Sequence, residues 1–345
     1  MASSLRSRQF VCSHEGTRQD LAERIGISPK ESGDSMSGPV QTPSDLASLG
    51  RPFDQYPTIR IASSPAIFKK NLLRSGLASV ADDLAGDLSA AWERDVWKAL
   101  TALSDIRCYA SRCVLTEIDW FGKRGNFRVF ILPRDMGIEE AIWANRTDLP
   151  PQERVVKAWL NASSQGRLGT SGPGMIADAS KNQRGAGDNA VVHFDPEVWD
   201  PDNQFRDVAN QIFPGRYGPY GATAAEALLH ELVHAMRTVK GMTDRTLTGP
   251  PFNDTFEEFA AVLVTNIHIG ESNPGGLRGG HTGFMPMQQN WNTSLGFLAD
   301  KNNRELVKYL IHQDPCFCNN LAQTVYVNSF NPVRLLLRPL VTSAS

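Results

Sequence analysis

The chain has 345 residues, 41% of them hydrophobic and 21% charged, with 7 Trp and 16 Phe. That is enough apolar material for one large core or two modest ones, and it excludes wholesale disorder. Lys and Arg number 35 against 37 acidic residues, a formal charge of −2, which offers nothing to a nucleic-acid-coating or polybasic membrane role. The longest apolar runs, such as Phe259 to Val264, fall far short of the roughly 20 residues that span a bilayer. The composition predicts a soluble protein.

Residues 1–50 are rich in Ser, Gly, Pro, Asp and Arg and carry no sustained apolar period, so they are expected to be unstructured. They lack the basic start, apolar stretch and small-residue cleavage site of a Sec signal. A polar, Ser-rich leader is also what a type III secretion signal looks like, and composition alone does not separate that from an ordinary tail. The 5 cysteines are sparse and odd in number, which suits a reducing compartment. The pairs Cys108/Cys113 and Cys316/Cys318 could in principle form a four-thiolate zinc site, but their spacing is loose and they lie far apart in the chain, so free thiols are the preferred reading.

From about residue 60 the texture becomes globular. Asp82 to Leu103 has apolar residues at helical spacing. Cys113 to Trp120 and Phe127 to Leu132 alternate across a break at Gly122, Gly125 and Asn126, which predicts a β-hairpin. Helices are expected at 138–145 and 152–163. The region 60–160 is thus helices plus a hairpin, with no role assigned to it. A Gly/Ser-rich loop, Ser163 to Gly187, leads into a short strand at Ala190 to Phe194, stopped by Asp195-Pro196. His193 on that strand would border a cleft or simply lie on the polar face of an edge strand.

The next helix is well marked. Thr223 and Glu226 form the S/T-x-x-E capping box, and Gly241 is placed as the residue that ends the helix. A second helix is expected from Thr255 to about His268, with others at 286–298 and 302–313.

The chemistry lies on the first two of these. His230-Glu231-Leu232-Val233-His234 puts two histidines one turn apart on one helix face, so both imidazoles can reach one cation. Glu231 then stands at the edge of that site as a general base for water. This is the HExxH arrangement of zinc hydrolases. A catalytic zinc takes a third protein ligand. Arg237 and Lys240 stand where an extended pattern would place Gly and His, and the spacing of Asp244 departs from an aspartate-ligand motif. Glutamates on the following helix are better candidates. Glu257 shares a face with Ala260, Ala261 and Val264, and Glu258 satisfies Glu-x-x-Ala with Ala261. Glu257 is preferred, with Glu258 read as a solvated charge at the helix start.

The order GAGDNAVVHFDPEVW, LLHELVHAMRTVKG, FEEFAAVLVTN resembles the zinc metallopeptidase domain of bacterial type III effectors and related polymorphic toxins, over residues 165–270. That resemblance implies an α+β, zincin-like domain over 165–345, its HExxH helix under a small twisted sheet. It implies one zinc per chain and proteolysis of a host or rival-cell protein after delivery by a non-Sec route. Without such delivery the chain would be cytoplasmic. The alternatives are a zincin-shaped interaction protein without activity and a zinc amidase acting on a non-protein substrate. For stabilising the oxyanion, Tyr217, Tyr220, His268 and His281 are candidates, and His281 is preferred for its permissive Gly-rich loop. His14 and His312 are assigned nothing.

Overall fold

The computed structural model joins five strands into one mixed sheet, and its three central strands are short runs rich in β-branched and aromatic residues. It describes residues 50–338 apart from 75–76, 134–163, 169–184, 186, 197–222, 250–254, 273–275, 281–285 and 324–328. Strand β1 (Arg51–Phe53) pairs antiparallel with β2 (Tyr56–Ile61). Helices α1 (Pro65–Arg74), α2 (Ala81–Leu103) and α3 (Tyr109–Gly125) precede β3 (Val129–Leu132). Then come β4 (Ser164–Leu168), β5 (Ala190–Phe194), α4 (Ala224–Val239) and α5 (Phe256–Ser272). Four shorter helices close the described chain: α6 (Ser294–Ala299), α7 (Lys301–Gln313), α8 (Pro315–Leu321) and α9 (Pro332–Leu337).

The strand order is β1-β2-β3-β5-β4, with β2, β3 and β5 parallel and the outermost strands β1 and β4 antiparallel to their neighbours. The central strands are apolar where the sheet is covered: Ile59 pairs with Val129, and Ile131 with Val192, all fully buried. The class is α+β, as expected. The sheet takes β1, β2 and β3 from before residue 160 and β4 and β5 from after it. One buried cluster runs from Phe53 to Val333. The described residues of that range, 60–133, are therefore part of the same core as the helix that carries HExxH.

The expected hairpin is half right. Val129–Leu132 is a strand, but Cys113 to Trp120 lies inside α3. Val114, Ile118 and Gly122 recur every four residues and are all buried, so what reads as alternation is also a helical stripe. Gly122 lets α3 lie close on β2, since a Cβ there would stand 2.9 Å from Thr58 Cβ. Asn126, in the left-handed conformation at φ 56°, ends the helix instead of making a hairpin turn. The helix expected over 286–298 is broken into a single 3-10 turn, Gln289–Trp291, and α6. The helices expected at 138–145 and 152–163, and the leader, lie outside the described residues. Among the described residues, Cys108, Cys113, Cys316 and Cys318 are in no disulfide. No helix among the described residues is long and apolar enough to cross a membrane.

Helix α4 sits in the middle, packed against α2, α3, α5, β4 and β5. Every residue from Ala227 to Val239 is buried, as a helix enclosed on all sides requires. Both bonds of the capping box form: Glu226 N donates to Thr223 Oγ1 at 3.2 Å, and Thr223 N to Glu226 Oε2 at 3.0 Å. At the other end Met242 N donates to Arg237 O and Gly241 N to Thr238 O, the paired bonds of a Schellman stop with Gly241 at φ 64°. Gly185 N donates to Gly241 O at 2.8 Å, so the Gly-rich stretch before β5 docks on the end of α4. A Cβ on Gly241 would strike Gly185 O. The glycines thus set the height of the HExxH helix against the sheet.

Candidate metal centre

On α4, His230 and His234 are one turn apart and both are buried. Their rings stand nearly perpendicular, at 84°, with Nε2 atoms 3.2 Å apart. Glu258, in the first turn of α5, brings Oε2 to 3.1 Å from His230 Nε2 and 3.4 Å from His234 Nε2. The three atoms make a nearly equilateral triangle. A tetrahedral ion with bonds of about 2.0–2.1 Å has ligand–ligand edges of ~3.3 Å. The donor set, two imidazoles and one carboxylate, and its spacing both fit one such ion. Among the described residues, His230, His234 and Glu258 form the one group of this kind.

The third donor differs from the sequence expectation. Glu258, read as a solvated charge, is the carboxylate that converges on the histidines. Glu257, expected to be a ligand, points elsewhere: its Oε2 accepts from Arg237 Nε at 2.8 Å and from Asp244 N at 3.0 Å. Its Oε1 lies 3.3 Å from His234 Nδ1, the ring nitrogen away from the triangle. Glu257 thus orients His234, while Glu258 meets it from the other side. The partner that decides this is Arg237. It is 1% exposed, and Glu257 is the carboxylate in contact with its guanidinium, at 2.8 Å. In the sequence Arg237 shows only as a departure from an extended motif, because its partner lies 20 residues away.

Arg237 belongs to a buried network. It also donates to Met242 O and Gln313 Oε1, while Gln313 Nε2 and Tyr309 Oη donate to Asp244 Oδ2, each at 2.8 Å. Asp244 is thereby tied to α7 and to the backbone, not to the histidine pair. Three residues beyond Arg237, Lys240 is held by Glu117 of α3 and by Asp314. Both networks clamp the C-terminal half of α4 to the rest of the molecule, so His234 is held on a rigid support.

The charges follow from burial and from these contacts. Burial pushes the His230 imidazole down to about 3, so it is neutral at pH 7. Burial also works against a charge on His234, but the carboxylates of Glu258 and Glu257 outweigh it and hold its proton well above the usual imidazole range. Burial would raise both glutamates. The charge of Arg237 on Glu257, and of His234 on Glu258, reverse this and keep both ionised. A cation entering the triangle must displace the His234 proton, while His230 has none to lose. Zinc titrated into metal-free protein in two buffers of different ionisation heat should therefore release about one proton near pH 7. The affinity should fall as the pH is lowered. A proton release of zero would overturn this charge assignment.

Glu231 is 5% exposed and its charge bears on His234. His281, Tyr217 and Tyr220 lie outside the described residues. His268, on α5, is buried and pushed down to about 4 by that burial; it is not one of the three converging donors. His193 Nδ1 lies 3.2 Å from Pro133 O at the end of β3, which favours the structural reading of that residue. Comparison with protein-family models, with curated proteins and with solved structures returns no match. The chemistry of the centre lies in its donor atoms. Those atoms are a two-histidine, one-glutamate tripod with a second glutamate beside it.

Proposed function

We propose that the chain is a zinc-dependent endopeptidase of zincin type. The observation that carries this is the His230–His234–Glu258 triangle, with edges of 3.1–3.4 Å, beside a buried Glu231. Three protein ligands leave the fourth position of a tetrahedral ion to water or substrate, which is the pattern of catalytic and not structural zinc. Zinc held there would polarise a carbonyl and lower the pKa of a bound water to about 7.

The chain's own residues supply the remainder. Glu231 accepts the proton of the attacking water and returns it to the leaving amine. Glu257, held by Arg237, keeps His234 turned so that Nε2 faces the triangle. Strand β4 lies at the outer edge of the sheet among the described residues and packs against α4. Such an edge suits an extended peptide, which could add to it as a further strand; this favours a peptide over a non-protein amide. The resemblance of residues 165–270 to effector and toxin peptidases extends the proposal to a protein of a host or rival cell as substrate.

The test is metal content and proteolysis together. Gently purified full-length protein should carry about one zinc per chain and cleave a generic unfolded protein, with cleavage lost on chelation and restored by zinc. Absence of zinc by elemental analysis would overturn the proposal. Zinc without cleavage of any unfolded protein or peptide would overturn the endopeptidase assignment and leave the metal site.

A further inference from the structure

Glu257 turns His234 towards the triangle, and one side chain from α7 holds both of the donors that fix Glu257. Its Oε2 accepts from Arg237 Nε at 2.8 Å and from Asp244 N at 3.0 Å. The first donor lies on α4 and the second on the loop after it. Gln313, the buried last residue of α7, reaches the residues that supply both. Its Oε1 accepts from Arg237 Nη2 at 3.0 Å, and its Nε2 donates to Asp244 Oδ2 at 2.8 Å. The four residues close a ring: Glu257 to Arg237, Arg237 to Gln313, Gln313 to Asp244, and the Asp244 amide back to Glu257.

The ring calls for an amide at position 313. A guanidinium only donates and a carboxylate only accepts, so the group between Arg237 and Asp244 must accept on one side and donate on the other. Asp244 is a fixed point for it, since Tyr309 Oη donates to Oδ2 and Thr246 N to Oδ1. Arg237, Asp244, Glu257 and Gln313 are all buried, where a lost bond leaves a polar group with no water to replace the partner. The next residue makes a contrast. Asp314, at the junction of α7 and α8, pairs with Lys240 at the end of α4, and Lys240 pairs with Glu117 of α3. One junction thus grips both buried cations, but the arm that leads on to Glu257 is Gln313.

We propose that Gln313 is a positioning residue of the metal centre. It holds Arg237 and Asp244 against one oxygen of Glu257, so that the other, Oε1, stays 3.3 Å from His234 Nδ1 and the ring presents Nε2 to the ion. This rests on the metallohydrolase reading above. It makes α7 part of the centre, although Gln313 lies 76 residues along the chain from Arg237.

The experiment uses full-length protein and competition with a chelator for zinc. Gln313→Met should weaken zinc affinity about 10-fold, the low end of the range for groups that support a ligand, because it acts one bond further out. Asp314→Asn should lower Tm and leave zinc affinity at the wild-type value. With cobalt in place of zinc, the visible spectrum should change in Gln313→Met and not in Asp314→Asn. Gln313→Glu should also weaken affinity, since a carboxylate there cannot donate to Asp244. Adding Asp244→Asn to it exchanges donor for acceptor at unchanged total charge and should restore affinity. This exchange serves if Gln313→Met does not fold. Wild-type affinity in Gln313→Met or Gln313→Glu, equal losses in Gln313→Met and Asp314→Asn, or no recovery in the exchanged pair would each overturn the proposal. If the wild type itself binds no zinc, the metal reading fails, and Tm of metal-free Gln313→Met, Glu257→Gln and the double variant still decides whether the ring holds Glu257. Losses smaller in sum than additive support it, and strictly additive losses overturn it.

Discussion

Glu258→Gln is expected to lose its zinc while keeping its fold, and Glu257→Gln to do more nearly the reverse. Glu258 Oε2 is one corner of the donor triangle, and an amide oxygen there offers the ion no negative charge. The loss of affinity should exceed the roughly 10- to 100-fold typical of residues that only support a ligand. Turnover should disappear with the metal. Glu257 is instead the counter-charge of a fully enclosed guanidinium. Its neutralisation leaves Arg237 charged and uncompensated, and breaking a buried pair in this way costs about 3–5 kcal/mol. Glu257→Gln should therefore show the larger drop in Tm, with zinc affinity reduced only within that supporting range because His234 loses its orienting carboxylate. Zinc content by elemental analysis and Tm by calorimetry, measured on both variants, separate the roles. If Glu257→Gln strips the zinc and Glu258→Gln retains it, the ligand assignment is reversed and the hydrolase class survives.

The second large effect is on rate alone. Glu231→Gln keeps the shape of the side chain but cannot take a proton, so turnover of an unfolded protein substrate should fall by about 10²- to 10⁴-fold. Zinc should stay bound, because Glu231 is not among the three converging donors. Unchanged turnover in the zinc-loaded variant would exclude the hydrolytic mechanism proposed here. Loss of zinc instead would make Glu231 a ligand and require a different base.

Much of the centre is legible in the sequence because its signals are local. Two histidines four apart fall on one face of a helix wherever that helix goes. The capping box and the Gly241 stop depend on residues within a turn of the helix ends, so α4 begins and ends where those residues place it. The strand Ala190–Phe194 is likewise bounded by its own neighbours, the glycines before it and Asp195-Pro196 after it.

Other features depend on contacts that sequence spacing does not contain. Cys113 to Trp120 satisfies a two-residue and a four-residue period at once. Burial of Val114, Ile118 and Gly122 against the sheet and α4 selects the helix. Residues 60–160 look independent only until β2 and β3 pair with β5 and the sheet closes across the chain. The choice between Glu257 and Glu258 was not decidable along the chain, since adjacent residues on a helix point about 100° apart and both satisfy a plausible pattern. The tertiary structure decides it electrostatically. Arg237, held by Gln313 and the Met242 carbonyl, claims Glu257, and the neighbouring carboxylate is left facing the histidines. What lies within one helix is set locally: a histidine pair and an adjacent glutamate on a capped helix. The partners that arrive from 20 to 76 residues away determined which carboxylate completes it, because a buried charge takes its place from its counter-charge and not from its position in a motif.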